Sequence, residues 1–132
     1  MNLPQIFDDT TYAAYLISVE TALARAQSTL DVIPAHIGSI LTETCTAPKL
    51  DFTRLGAETE IVGYPILPLI RQLGEMCPLE SEAAKYIHWG ATTQDIMDTA
   101  LVLQMDAALG LVSGELEALE ETLIRLADRW RD

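Results

Sequence analysis

Aromatic residues are scarce in this chain, 6% of 132 residues. Sheet sandwiches lean on aromatic and β-branched side chains, so this scarcity, beside an abundance of Ala and Leu, argues for helices. Cysteine is scarcer still. Cys45 and Cys77 form no Cys-x-x-Cys pair and no Cys/His cluster, which leaves neither a zinc site nor a disulfide framework. Reduced thiols in a cytoplasmic protein are the plain expectation. Basic residues are also few, 8 against 20 acidic ones, for a net charge of −12. Such a chain repels a phosphate backbone, so no nucleic-acid partner is expected. No unbroken run of 18 apolar residues occurs, so no membrane span is expected. The start, "MNLPQIFDD", has neither the basic nor the apolar region of a secretory signal.

What is present is enough for one helical domain. Hydrophobic residues make up 49% of the chain, too many for a disordered segment. The spacing of Tyr12, Leu16, Val19, Leu23 and Ala26 predicts an amphipathic helix over residues 8–30, with Asp8, Asp9 and Thr10 as cap candidates. Pro34 suits the first turn of a second helix through Cys45. Asp51 or Thr53 can cap a third through Val62. Pro65 and Pro68 predict a loop entering a helix from about Pro68 to Met76. "CPLESEAAKYI" reads as another short helix.

From Thr93 onward no proline occurs, and Gly110 and Gly114 merely weaken the helix. Leu109, Val112, Leu116, Leu119, Leu123, Leu126 and Trp130 alternate at spacings of three and four, a heptad seam. Glu121 and Arg125 are placed for an i,i+4 ion pair. A helix of this length runs roughly 60 Å, whereas a compact chain of this size has a radius of gyration near ~14 Å. The rest of the chain cannot cover it, so the seam is expected to meet other copies or further chain. "ADRWRD" carries no stop signal and reads as a helix cut short.

Between these parts lies "HWGATTQD", residues 88–95. With Thr92 as N-cap, Asp95 falls three residues on, a capping-box spacing. Gly90 supplies freedom for a sharp turn. The N–H groups at the start of the following helix, with the positive end of its dipole, favour a carboxylate or phosphate. Thr92 and Thr93 add hydroxyls and Gln94 an amide. His88 can bind or protonate an acidic group near neutral pH. The competing reading is structural: Thr92 and Asp95 as caps and no more, His88 as a satisfied interior histidine, Trp89 as core packing. His36 reads as surface or packing, Tyr64 as loop, and Asp98 as solvated or as a first-turn dipole partner.

"HWGATTQDIMDTALVLQ" resembles the His-x-Gly-x-Thr-Ser-x-Asp signature of the fumarase/aspartase superfamily. Trp after His, with Gln-Asp-Ile and Asp-Thr-Ala following, is most similar to the 3-carboxy-cis,cis-muconate cycloisomerases; adenylosuccinate lyases are near relatives. "VETALARAQSTLDVIPAHIGSIL" and "YPILPLIRQL" resemble the first helix and a second active-site stretch of the same superfamily. Thr93 stands where the family usually has Ser.

The resemblance implies an all-α protein. A small N-terminal helical domain, residues 1–92, is followed by the first long helix of a central bundle, residues 93–132. It implies a homotetramer joined along the 109–130 seam and an active site shared by three subunits. It also implies a polycarboxylate substrate that loses a proton α to a carboxylate, with no metal and no organic cofactor. By the same comparison the second histidine segment and the Gly-Ser-Ser-x-Met-Pro-x-Lys loop with its catalytic serine lie outside this sequence. The expectation is therefore an N-terminal portion, inactive alone. His88 would bind substrate or move a proton, and Thr92, Thr93 and Gln94 would bind carboxylate. Gly90 and Asp95 would shape the turn. An adenylosuccinate-lyase-like C–N lyase and a non-catalytic helical oligomerisation module are the alternatives.

Overall fold

The computed structural model describes residues 2–131. It contains six α-helices and, among the described residues, no strand. They are α1 (Leu3–Ile6), α2 (Asp9–Thr29), α3 (Ala35–Thr46), α4 (Phe52–Val62), α5 (Ile66–Met76) and α6 (Thr93–Arg129). Two 3-10 turns, Leu79–Ser81 and Ala83–Tyr86, lie between α5 and α6.

Local chemistry sets most of the boundaries. Asp8 Oδ1 accepts from the Thr11 N–H at 2.7 Å and starts α2. Asp51, rather than Thr53, caps α4 by accepting from the Arg54 N–H at 3.0 Å. Gly63 ends α4 with a left-handed φ of 91°. Pro34 is the N-cap of α3 rather than its first residue.

Two sequence expectations need correction here. α5 begins at Ile66, with Pro65 as N-cap and Pro68 inside the first turn. A first-turn residue has no partner four residues back within the helix, so Pro68 forfeits no intrahelical bond. The single short helix expected at "CPLESEAAKYI" is instead a pair of 3-10 turns, broken at Glu82, where φ is 57°.

α2 is the hub. Ala13, Leu16 and Ile17 pack with Leu55 of α4, Ile66, Leu69 and Leu73 of α5, and Ile96 and Ala100 of α6. Further along, Ala24 joins Ile33, Ile37, Leu41, Cys77 and Ala83. The α2–α3 crossing is close enough to require glycine at residue 38, where a Cβ would lie 2.3 Å from the Ser28 Cβ. Buried amides pin the edges. Gln104 Nε2 donates to the Ile6 carbonyl at 2.7 Å, tying α1 to α6, and Gln72 exchanges hydrogen bonds with the Asp51 backbone at 2.9 and 3.1 Å.

α6 is unbroken at Gly110 and Gly114 and extends about 55 Å. Its buried residues are Ile96, Ala100 and Gln104, all near the start. Beyond them every member of the 109–130 seam is exposed, from Val112 at 41% to Trp130 at 73%. The Glu121–Arg125 ion pair does not form. Arg125 Nε reaches the Glu121 carbonyl at 3.4 Å and an Nη donates to the Thr122 hydroxyl at 3.1 Å. Water solvates two exposed charges too well for an isolated pair to hold them together.

α6 also revises the membrane expectation. It is long and apolar enough to cross a bilayer by length and composition, with mean hydropathy of 1.4 over its most apolar 18 residues, 17% of them buried. The unbroken-run criterion missed it because isolated polar residues interrupt the apolar ones without lowering the average much.

Candidate functional site

The turn that feeds α6 has unusual backbone geometry. His88 has φ of 60° and Gly90 φ of 69°, both left-handed. Glycine adopts this freely, whereas histidine does so at a steric cost. The Ala91 N–H closes the turn on the His88 carbonyl at 3.3 Å.

The capping-box expectation is met at Thr92 and Asp95. Asp95 Oδ2 accepts from the Thr92 N–H at 3.0 Å. In return the Asp95 N–H is shared between the Thr92 side chain and the Thr92 carbonyl, 3.1 Å away. The hydroxyl half of the box is therefore the weaker half. Thr93 is half-buried and Gln94 exposed at the first turn of α6. Gln94 Nε2 donates to Asp98, so its amide is turned along the helix.

His88 is held from behind. Its Nδ1 lies 2.6 Å from Oε1 of Glu20, with side-chain exposures of 16% and 3%. Burial pushes the Glu20 carboxyl above its ordinary range, and the bond to His88 pulls it partly back. Seven residues along α2, Gln27 Nε2 donates to the Trp89 carbonyl at 2.6 Å. Trp89 is thus held by its backbone. The residue is 48% exposed and its ring is tilted against Tyr86 at 5.4 Å, which corrects the expectation of core packing.

Glu20 and Gln27 are the site-supporting residues that the sequence reading did not single out. A signal existed. The buried stripe of α2 runs Ala13, Leu16, Ile17, Glu20, Ala24, so a carboxylate sits in register with the apolar face. Charged residues rarely take that position unless paired.

The space behind His88 is a cavity of about 10 Å³ lined by Glu20, Gln27, Cys45 and Tyr86, among others. It is too small for a substrate, so any ligand must approach His88 from the outer side. The larger grooves, such as one of about 570 Å³ lined by Thr21, Arg25 and Cys45, do not include the residues of the 88–95 turn. Burial raises the thiols of Cys45 and Cys77 above their ordinary range, which suits packing rather than nucleophilic chemistry. Among the described residues no group of three or more metal-ligating side chains occurs. His36 and Asp98 are exposed, and Tyr64 lies in the α4–α5 turn.

The turn therefore brings His88, Gly90, Thr92, Thr93, Gln94 and Asp95 to one corner. First-turn N–H groups are available there, but so is the negative charge of Asp95. A polycarboxylate needs more positive charge than this corner supplies.

No family model matches the chain. Individual proteins do. The chain is 36% identical over 128 residues to trans-aconitate decarboxylase 1 of Mycosarcoma maydis, covering 97% of this chain and 26% of that protein. It is 34% identical over 133 residues to the 3-carboxy-cis,cis-muconate cycloisomerase of Acinetobacter baylyi, covering 98% and 30% respectively. An adenylosuccinate lyase of Methanothermobacter thermautotrophicus is 32% identical over 117 residues, 89% of this chain and 26% of that protein. The crystal structure of a fumarate lyase from Mesorhizobium sp. BNC1 superposes with a TM-score of 0.93 at 43% identity, over 98% of this chain and 30% of that one. The chain thus spans less than a third of the length of each of these relatives. By sequence and by fold, the chain is similar to the N-terminal part of these enzymes, and its structural neighbours are members of the fumarate lyase superfamily.

Proposed function

We propose that this chain supplies the carboxylate-binding corner of a lyase-superfamily enzyme of the 3-carboxy-cis,cis-muconate cycloisomerase type. The enzyme would act on a polycarboxylate by proton transfer α to a carboxylate. The 88–95 turn carries this reading, because it aims a fixed imidazole and the start of a long helix at one small region of surface. Thr93 and the free N–H groups beside it bind one carboxylate. Thr92 and Gln94 border that site. His88 presents Nε2, which binds the substrate or carries a proton. The remaining cations and the base would come from other segments or other copies, and no metal or organic cofactor is required.

The exposed seam of α6 fits a homotetramer whose central bundle buries it. A bundle in the cytoplasm accounts for α6 better than a bilayer does, because Asp98 and Asp106 interrupt its apolar first half and Glu115, Glu117, Glu120, Glu121 and Asp128 follow along the rest. The same seam supports the second reading, a non-catalytic oligomerisation module.

Binding separates the two. A complete enzyme carrying this segment, in which other segments and copies supply the remaining cations, is titrated with 3-carboxy-cis,cis-muconate while the backbone amides of residues 88–95 are followed by NMR. The expected result is saturable shifts at Thr92, Thr93 and Gln94, weakened about tenfold or more by Thr93→Ala, since a hydrogen bond to a charged group is worth roughly 1.5–3 kcal/mol. Undisturbed amides there, or equal binding by the variant, would leave the oligomerisation module as the reading. Preferential binding of adenylosuccinate would move the assignment to a C–N lyase. No turnover is expected from these 132 residues alone, because general acid–base catalysis contributes about 10²–10⁴ in rate and needs its full set of groups. Measurable turnover of either compound overturns that expectation.

A further inference from the structure

Two side chains of α2, Glu20 and Gln27, touch consecutive residues of the strained turn, Glu20 from a buried position and Gln27 from a partly buried one. We infer that they are positioning residues: Glu20 fixes the tautomer and direction of His88, and Gln27 holds the Trp89 peptide that lets His88 keep its left-handed backbone. This deepens the carboxylate-site reading and rests on it for its functional meaning.

The tautomer follows from the pairing. Glu20 Oε1 lies 2.6 Å from His88 Nδ1. An ionised carboxylate can only accept, so Nδ1 carries the proton and donates it. Nε2 is then left with its lone pair when the ring is neutral, and becomes a donor when the ring is protonated. Among the described residues Nε2 makes no hydrogen bond, and the inner cavity is too small to hold a ligand. Nε2 is therefore the nitrogen offered outward, as a base when neutral and as a donor to an anion when charged. Cys45 of α3 and Tyr86 of the second 3-10 turn are the other titratable groups lining the cavity. Cys45 carries a thiol raised by burial, so Glu20 is the one carboxylate facing the imidazole there.

The backbone supports the same assignment. A histidine at φ 60° persists when its surroundings over-determine it. Here one anchor grips the ring and a second grips the next carbonyl, from residues seven apart on the same face of α2. Two turns of one rigid helix thus set the ring's direction and the peptide plane beside it.

The test needs no substrate. The chain has two histidines, and exposed His36 is an internal control. Side-chain ¹⁵N shifts report the protonated nitrogen of each ring. The expected result for the parent chain is His88 in the Nδ1–H form at high pH, with His36 showing the ordinary mixture. Glu20→Gln should shift the His88 tautomer ratio while that of His36 stays unchanged, because an amide can donate as well as accept. Gln27→Ala should leave the tautomer alone and speed exchange of the Ala91 amide, which closes the turn, by roughly five- to tenfold. An Nε2–H form of His88 in the parent chain overturns the inference even if no variant folds. So does a tautomer ratio unmoved by Glu20→Gln in a chain that keeps its helicity. A failure to bind carboxylates would refute the proposed function and leave these shifts as they are.

Discussion

Leu69 and Leu73 of α5 are fully buried, whereas Leu109, Leu116 and Leu123 of α6 are each more than half exposed. All five are leucines at helical spacing, so nothing intrinsic to the residues separates them. The difference is reach. α5 lies between α2, α4 and the start of α6, and each leucine finds apolar neighbours within the chain. α6 leaves that cluster after Ala100, and beyond Gln104 none of its described residues is buried, although Asn2, Leu3 and Pro4 border a groove along residues 111–119. Periodicity therefore specifies that a face wants to be buried, but not what buries it.

The largest expected effect breaks the contrast at the seam. If the outer half of α6 is a core shared between copies, Leu119→Asp with Leu123→Asp should convert an oligomer to monomer while the helices before residue 92 persist. Light scattering and circular dichroism on the parent and the double variant decide this. A parent chain that is already monomeric at micromolar concentration would show that the seam is covered in some other way.

A paired substitution sharpens the contrast by a smaller amount. Leu73→Ala should cost about 2–5 kcal/mol of stability, as for other fully buried leucines. Leu109→Ala should cost much less when measured under conditions that keep the chain monomeric. Denaturant titrations compare the two, and equal losses would mean that residue 109 has a partner within its own chain.

The smallest effect concerns the joint between the regions. Asp95→Ala removes the better-formed half of the capping box and should cost about 1 kcal/mol, with Thr92→Ala costing less. Thermal melts rank them. The reverse order would make the Thr92 hydroxyl the principal cap.

The helical class, the boundaries of α2, the start of α6 and the capped turn at residues 88–95 were legible from the chain itself. Each rests on interactions spanning three or four residues: Asp8 with Thr11, Thr92 with Asp95, and the seven-residue rhythm of the seam. The start of α5 was misplaced by two residues because Pro68 reads as a breaker unless its place in the first turn is known. Arg125 was misassigned because helical spacing says which groups can meet and not whether water lets them.

The contacts that aim the site span 62 and 68 residues, from Gln27 to Trp89 and from Glu20 to His88. No local pattern encodes them, although Glu20 on the apolar stripe of α2 marked a carboxylate in need of a partner. The sequence by itself determined the elements, their caps and the hydrophobic faces, since these depend on near neighbours. Tertiary structure alone decided that His88 is gripped through Nδ1 and that Trp89 faces solvent. Those outcomes depend on how α2, α3 and α6 cross, and the crossing is set by packing shapes such as the bare backbone of Gly38 against Ser28.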